Sequence, residues 1–374
     1  MTELTPIPFL TPHFPDPSLV ARDYAEIVAS GIFTNSGPFE QRFGAELARR
    51  IGRGVAVSVT SSATAGIQLA CRVLFHPDRR YVLVASFTAV AGPLAVRWSG
   101  YEPVLIDVEP GSWQPDPAAA EEFLGRGAGD VAGILLTNTF GTANASIERW
   151  EALARRYDVA LVVDSAAGFE SRYDWDEPLG ARGDCEVFSF HATKTVAIGE
   201  GGAVAARDHA VIEQIDRLKN FGFDDARRSL GVGLNAKLPE LSSAIGLRQL
   251  ELLGERLASR RERLHWYVKA LAPLGCAVQP NVQLSAPPFF SAALPSADHR
   301  DALGCALGEA GIGWRTYYNP PVHRQPSFAD APTVGDLPVT DMTSRRIISL
   351  PLDERLSDTD IARIVDVVAR VVDG

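Results

Sequence analysis

Lys194 is the residue of this sequence with the clearest potential for chemistry. It ends the stretch Phe188-Ser189-Phe190-His191-Ala192-Thr193-Lys194, which begins as an apolar, strand-like run and precedes a glycine-rich turn, Gly199-Glu200-Gly201-Gly202. Burial at such a position disfavours the ammonium form, lowers the pKa of the side chain and frees the amine as a nucleophile. A nucleophilic amine forms imines with carbonyl compounds. The alternative is a lysine that ends a strand and has no chemical role.

Asp164 is the second candidate, because it ends the apolar run Val159-Ala160-Leu161-Val162-Val163. An acid at the end of a buried strand is costly unless it has a partner. The commonest biological partner of a reactive lysine is pyridoxal phosphate, whose pyridine nitrogen stays protonated when a carboxylate faces it, so that the ring accepts electrons from the substrate. The alternative for Asp164 is a strand-end cap or a salt bridge.

A phosphate site is the third feature, at Ser61-Ser62-Ala63-Thr64. These residues open a predicted helix, where free N–H groups and a partial positive charge suit a phosphate. Ser189, five residues before Lys194, could add a hydroxyl. The alternatives are a simple N-cap and an ordinary strand serine. His191 lies near the lysine, where a structural histidine is at least as consistent with its position as a role in proton transfer. His323 lies in a loop of aromatic residues and prolines, where packing on tyrosines and a position near substrate are equally consistent.

Strands and helices alternate along most of the chain. Strands are predicted over residues 55–59, 81–85, 103–108, 131–137, 159–164, 186–190 and 202–206, and helices over 39–50, 61–74, 89–98, 117–124 and 147–157. This order predicts an α/β fold with a mainly parallel sheet covered on both faces, and ligands in such sheets bind at the carboxyl ends of strands.

The last third of the sequence has a different organisation. A long helical stretch over residues 247–271 comes first, followed by strands near 289–294 and 313–317 and helices near 297–310, 341–347 and 358–372. We therefore expect a large cofactor-binding domain over residues 1–250 and a smaller α+β domain over residues 251–374.

Composition restricts the possible partners. The chain has 374 residues, is 46% hydrophobic and 22% charged, and carries a net charge of −10 with no basic block, which disfavours nucleic acid and anionic membranes. Cys71, Cys185, Cys276 and Cys305 are widely spaced, so reduced packing residues and no metal site are expected. Residues 1–6 lack the basic and apolar regions of a signal peptide, and no membrane span is evident. A cytoplasmic enzyme is the expectation.

At Lys194, Asp164 and the stretch Ser61-Ser62-Ala63-Thr64, the chain resembles the DegT/StrS family of pyridoxal phosphate-dependent aminotransferases. The best-known members of this family aminate nucleotide-linked ketosugars and aminocyclitols. The resemblance extends from end to end, and the lysine motif with Glu200-Gly201-Gly202 is its most specific part. The other matching segments are Thr34-Asn35-Ser36-Gly37-Pro38, Ser61-Ser62-Ala63-Thr64-Ala65, Ala85-Ser86-Phe87-Thr88, Glu102-Pro103-Val104-Leu105-Ile106-Asp107-Val108, the strand ending in Asp164, Gly233-Leu234-Asn235-Ala236-Lys237-Leu238-Pro239-Glu240-Leu241 and the loop around His323.

The resemblance implies a type I aminotransferase fold and a role for each matching residue. Lys194 would form the imine with pyridoxal phosphate and act as the base of the proton shift, and Asp164 would face the pyridine nitrogen. Phosphate contacts are implied for Ala63, Thr64, Ser189 and Asn235, the last supplied by the other subunit. A homodimer with a composite active site is therefore implied.

Two positions depart from the family pattern. The family usually has an aromatic ring that stacks on the cofactor where this chain has Ala89, and His or Gln near the 3′-oxygen where it has Ala167. Stacking of this type is worth roughly 0.5–1.5 kcal/mol, so the cofactor could still bind. Phe87 or Phe169 could fill the space, or the space could accept an unusual substrate. Because Lys194 is retained, the resemblance does not point to the dehydrase branch of the family.

Three functions are consistent with these residues. The first is an aminotransferase that moves an amino group from an amino acid, with glutamate as the expected donor, to a keto group of a nucleotide-linked sugar or cyclitol-like intermediate. The second is a pyridoxal phosphate enzyme that catalyses another reaction in a natural-product pathway, and the third is a non-catalytic protein that binds the cofactor. The alanines at 89 and 167 motivate both alternatives.

Overall fold

A seven-stranded sheet forms the centre of the molecule in a computed structural model that describes residues 5–372. The expectation about a targeting segment therefore falls partly outside the described residues, at residues 1–4. Two smaller sheets of two strands each accompany the seven-stranded sheet. The strands of all three sheets, in chain order, are β1 (Ala56–Thr60), β2 (Tyr81–Ala85), β3 (Glu102–Ile106), β4 (Val131–Thr137), β5 (Ala160–Asp164), β6 (Arg172–Asp174), β7 (Glu177–Pro178), β8 (Cys185–Ser189), β9 (Gly202–Ala206), β10 (Phe290–Ala293) and β11 (Ile347–Leu350).

Helices cover both faces of this sheet and build the C-terminal part of the chain. They are α1 (Pro17–Ser30), α2 (Pro38–Ile51), α3 (Ala63–Leu74), α4 (Ala91–Trp98), α5 (Pro117–Gly127), α6 (Ile147–Tyr157), α7 (His209–Leu218), α8 (Glu240–Glu251), α9 (Leu253–Leu271), α10 (Ala297–Glu309), α11 (Pro338–Arg346) and α12 (Asp358–Val372).

The large sheet has the strand order β1-β9-β8-β5-β4-β2-β3. Strands β3, β2, β4, β5 and β8 run parallel to one another, and β9 is antiparallel to both β8 and β1. The predicted α/β class with a mainly parallel sheet is confirmed. Because the parallel strands end at one edge, the ends of β5 and β8 lie side by side there.

Alternation along the central strands separates two cores. Val162 of β5 and Val187 of β8 pack with Ile67 of α3 on one face. On the other face Leu161 and Val163 pack with Trp150 of α6. Since successive side chains of a strand point to opposite faces, Asp164 and Ser189 share the face that α3 covers.

The C-terminal part has a hydrophobic core of its own. Strands β10 and β11 form an antiparallel pair, and α9, α10 and α12 pack around it. The boundary at residue 250 stays a prediction.

Three element predictions differ from the structure. The stretch 247–271 belongs to two helices that meet at Leu252, and residues 313–317 form only an isolated bridge, Arg315 with Ser349. The helix predicted near 341–347 instead spans Pro338–Arg346, and it ends at Arg346 because residues 347–350 form β11. In the sequence alone, the short apolar run Ile347-Ile348-Ser349-Leu350 fits the end of a helix as well as a strand. It forms a strand in the structure because it pairs with β10.

A buried charge cluster fixes the loop before α2. Glu240, which is 1% exposed, accepts hydrogen bonds from the amides of Phe39 and Glu40 at the start of α2. Glu40 accepts from the Ser36 amide and pairs with the buried Lys219 at 2.9 Å. Negative charge at a helix N-terminus is favourable. The loop over residues 34–38 is therefore held by two carboxylates.

Close packing between α2 and α8 yields a stability prediction. A methyl group at Gly246 in α8 would lie 2.6 Å from the ring of Phe43, whereas one at Gly254 in α9 would meet nothing within 4 Å. Gly246→Ala is expected to lower the free energy of unfolding by about 1–3 kcal/mol because of overpacking. Gly254→Ala should raise it by up to about 1 kcal/mol through helix propensity. Urea unfolding measures both, and a stabilising Gly246→Ala would contradict the packing described.

Candidate active site

The site lies at the carboxyl ends of β5 and β8. Asp164 is the last residue of β5, is 7% exposed and pairs in register with Val187 of β8. Lys194 follows β8 in a turn that returns to β9. Backbone hydrogen bonds close this turn, from Phe190 to Gly201, from Ala192 to Gly199 and from Ile198 to Phe190. The position of Lys194 is thus set by two strands and by the buried Phe190.

Burial acts on the two charged groups in opposite directions. It raises the pKa of the Asp164 carboxyl, and it lowers the pKa of the Lys194 amine. The charge of each group partly offsets the effect of burial on the other. Within residues 5–372 no ion pair joins the two side chains and no hydrogen bond involves the Lys194 amine. The site therefore presents an amine with a lowered pKa on the half-buried Lys194 and a buried carboxyl on Asp164, without a direct ion pair between them.

One of the two carboxylate oxygens of Asp164 accepts a hydrogen bond from within the chain. Its Oδ1 accepts a hydrogen bond from the amide of Ala166 at 3.0 Å, which lowers the pKa against the effect of burial. Its Oδ2 has no donor among the described residues. A methyl group on Gly92 would lie 3.4 Å from Oδ2, so the start of α4 passes close to this oxygen. Oδ2 is thus available to a ligand.

The start of α3 forms a cradle beside the lysine turn. Ser62 caps the helix by accepting from the amide of Ala65 at 3.1 Å. The amides of Ala63 and Thr64 have no acceptor among residues 5–372, as expected for the first turn of a helix. Gly202 touches this turn, because a methyl group there would lie 2.5 Å from the Ala63 nitrogen. Ser189 pairs in register with Gly202, which brings it to the same place.

Asn235 lies outside this cradle in the single chain. It is exposed, and its Oδ1 accepts from the amine of Lys237 at 2.6 Å. The next residue connects it to the site, because the Ala236 carbonyl accepts from the Ser61 amide at 2.8 Å. The structure therefore brings together Lys194, Asp164, Ala63, Thr64 and Ser189, and it leaves Asn235 facing solvent.

Phe87 and Phe169, which could fill the space near Ala89 and Ala167, are both packed in hydrophobic cores. Phe87 is fully buried against Phe140 and Tyr318. Phe169 packs on Phe188 and Phe190 in another core. Filling of the space by either ring would require repacking of a core.

The two histidines differ in their surroundings. His191 Nδ1 accepts from the Thr193 amide at 3.2 Å and lies 2.9 Å from the Thr193 hydroxyl, so it stabilises the lysine turn. His323 lies between the buried Ser86, 2.7 Å from its Nδ1, and Asp341, 3.0 Å from its Nε2. Burial lowers the pKa of His323, which favours its neutral form. His323 thereby ties its loop to the end of β2.

Glu186 was not identified from the sequence. This fully buried residue of β8 accepts from the hydroxyls of Ser165 at 3.0 Å and Tyr173 at 2.6 Å and from the Gly180 amide. Burial raises its pKa to about 7. Because Ser165 follows Asp164, this network supports the end of β5 from the opposite face. The only indication of Glu186 in the sequence is that a charged residue interrupts an otherwise apolar predicted strand.

Residues 5–372 contain neither a metal-ligand cluster nor a helix that could span a membrane. No group of three or more His, Cys, Asp or Glu side chains in this range has the arrangement of a metal site. No helix in the described range has the length and apolar character that crossing a membrane requires.

Comparison with known proteins gives the class of the molecule. The solved structure of DesI in the presence of its TDP-sugar product superposes with a TM-score of 0.89 at 28% identity, covering 98% of this chain and 93% of the other. The fold is therefore that of a type I aminotransferase, as the sequence predicts.

Sequence relatives identify the family. The chain belongs to the DegT/DnrJ/EryC1/StrS aminotransferase family, whose sequence profile matches residues 19–369. It is 42% identical to Protein Rv3402c of Mycobacterium tuberculosis over 97% of this chain and 89% of the relative. It is 30% identical to the dTDP-3-amino-3,4,6-trideoxy-alpha-D-glucose transaminase of Streptomyces venezuelae over 92% of this chain and 89% of the relative. The prediction of a pyridoxal phosphate-dependent aminotransferase is confirmed at the level of the family.

Removal of the Asp164 charge is expected to lower the pKa of Lys194 further, because the carboxylate partly offsets the effect of burial. Reductive methylation over a range of pH, followed by mass spectrometry of the Lys194 peptide, measures this pKa in protein without cofactor. We expect a value below the ordinary lysine value of about 10.4 in the wild type and a lower one in Asp164→Asn. Exposed Lys269 is the internal reference. An unchanged or higher value in the variant would contradict the arrangement.

Proposed function

We propose that this protein uses pyridoxal phosphate to transfer an amino group from an amino acid, with glutamate as the expected donor, to a keto group of a nucleotide-linked sugar or cyclitol-like intermediate. The observation that carries the proposal is the pair of Lys194 and Asp164 at neighbouring strand ends beside a helix N-terminus. The substrate class is supported by the Streptomyces relative, whose name specifies a dTDP-linked amino sugar.

The residues present fit this cofactor. Lys194 offers an amine with a lowered pKa for the aldehyde. Asp164 offers the unused Oδ2 for the pyridine nitrogen. The amides of Ala63 and Thr64 offer hydrogen-bond donors for the phosphate at a helix N-terminus. All three donor and acceptor types that the cofactor needs are thus available on one face of the sheet.

Asp164 has an electrostatic role in this proposal. The cofactor, when bound, supplies an electron sink for the bonds around the substrate nitrogen. The Asp164 carboxylate would hold a proton on the pyridine nitrogen, because a nearby negative charge favours the protonated form of a nitrogen base. A neutral side chain at this position would lack that effect.

Lys194 would move the proton. In its neutral form, the Lys194 amine would accept a proton from the substrate carbon and return it to another atom of the substrate or cofactor. Its lowered pKa brings the amine closer to the operating pH, which is the condition for an efficient general base.

The phosphate contacts and the subunit arrangement belong to the same proposal. Ala63, Thr64 and Ser189 would hold the phosphate within one chain, and Asn235 would reach the site of a second copy in a homodimer. Asn235 is exposed, and its loop carries Leu230 at 60% and Val232 at 73% exposure. Apolar side chains this exposed are typical of an interaction surface.

Replacement of the lysine gives the direct test. Lys194→Ala is expected to reduce transamination by at least about 100-fold, because it removes the general base. Lys269→Ala, on the exposed surface of α9, is the matched control and should retain full activity. The measurement is bleaching of the visible absorbance of bound pyridoxal phosphate on addition of glutamate, followed by product formation with a panel of nucleotide-linked ketosugars.

Three results would contradict the proposal. Full activity of Lys194→Ala would exclude the lysine from the reaction. A wild-type protein that binds the cofactor and responds to no amine donor would favour another reaction of the same cofactor or a binding function. Failure of the wild type to bind the cofactor would remove the basis of the proposal.

A further inference from the structure

An aromatic cluster closes the site next to β2 and β4. Tyr318 stacks on Phe140 with ring centroids 5.4 Å apart and an interplanar angle of 20°. Its ring also contacts Phe87 edge-on at 5.6 Å. Phe87 and Phe140 are 0% and 3% exposed, whereas Tyr318 is half-buried. Tyr318 is therefore the member of these three that retains solvent exposure.

This cluster adjoins Asp164. Phe140 lies in the turn after β4, and the Asn138 amide in the same turn donates to the Asp164 carbonyl at 2.9 Å. Thr137 at the end of β4 pairs in register with Asp164. Burial and the nearby Asp164 charge both raise the pKa of the Tyr318 hydroxyl, so its ring stays neutral at physiological pH.

Hydrogen bonds hold the loop that carries Tyr318. The Val322 amide donates to the Ser86 carbonyl at 2.9 Å, and the His323 ring links Ser86 to Asp341. The loop is thereby tied to the end of β2, beyond which the chain passes Ala89 and approaches Asp164 at Gly92. Ala89 contributes only a methyl group to this side of the site.

We propose that Tyr318 is a cofactor-binding residue whose ring packs against the pyridine ring held between Lys194 and Asp164. This inference rests on the proposed function. A planar aromatic ligand gains from contact with another ring. Tyr318 is a partly exposed aromatic residue beside Asp164, whereas Phe87, Phe140 and Phe169 are buried in cores.

Affinity for pyridoxal phosphate tests the proposal. Tyr318→Leu removes the ring and Tyr318→Phe retains it. Tyr317→Leu is the matched control for loss of aromatic packing in the same loop, because Tyr317 packs on Phe9, Phe289 and Tyr318. Titration of the cofactor into each protein, followed by absorbance and by the circular dichroism of the bound cofactor, gives the dissociation constants. We expect Tyr318→Leu to bind about threefold to tenfold more weakly. Tyr318→Phe and Tyr317→Leu should remain within about twofold of the wild type, a difference well below 1 kcal/mol.

Two results would overturn it. Wild-type affinity in Tyr318→Leu would show that the ring makes no contact, and equal weakening in Tyr318→Phe and Tyr318→Leu would assign the effect to the hydroxyl. Tyr318→Met, which keeps a large side chain without a ring, replaces the leucine variant if the latter does not fold. If the wild type binds no cofactor, the proposed function fails as well. If the wild type binds it and responds to glutamate, an unaffected Tyr318→Leu overturns this inference alone.

Discussion

The rest of this structure depends on one constraint, which is that the oppositely charged groups of Lys194 and Asp164 are held beside the carboxyl ends of the neighbouring strands β8 and β5. Burial disfavours the charged form of both Lys194 and Asp164. The Asp164 charge offsets this effect at Lys194, whereas at Asp164 the hydrogen bond from the Ala166 amide offsets it first and the Lys194 charge second. A ligand that is electrophilic at one end and basic at the other would match the amine of Lys194 and the carboxylate of Asp164. Parallel strands are suited to this, because their carboxyl ends meet at one edge while helices exclude water from both faces.

The supports of the site are themselves polar and buried. Glu186 and its hydroxyl partners support the end of β5 from the face opposite Asp164. Lys219, Glu40 and Glu240 fix the start of α2, and the Lys219 carbonyl accepts from the Ala236 amide, next to Asn235. Removing one partner from such a buried pair generally costs several kcal/mol. We therefore regard these clusters as positioning elements, which keep the chemical groups in place without touching the ligand.

The strand–helix alternation and the site residues of β5, β8 and α3 could be predicted because their signals are local. An apolar run that ends in Asp164 or Lys194, and hydroxyls before α3, are visible in a few consecutive residues. Strand β11, the helix break at Leu252 and the Glu186 network depend on partners far away in sequence. The surroundings of Tyr318 could not be predicted for the same reason, because nothing in its own loop indicates that it stacks on Phe140 or lies near Asp164.

The most direct test of the account is to identify the lysine that bonds to the cofactor. Protein incubated with pyridoxal phosphate would be reduced with borohydride, which fixes the imine, and its peptides would be mapped by mass spectrometry. The account predicts that the pyridoxyl group is on Lys194, with Lys219, Lys237 and Lys269 unmodified at stoichiometric cofactor. A pyridoxyl group on one of the other lysines, with Lys194 unmodified, would contradict it.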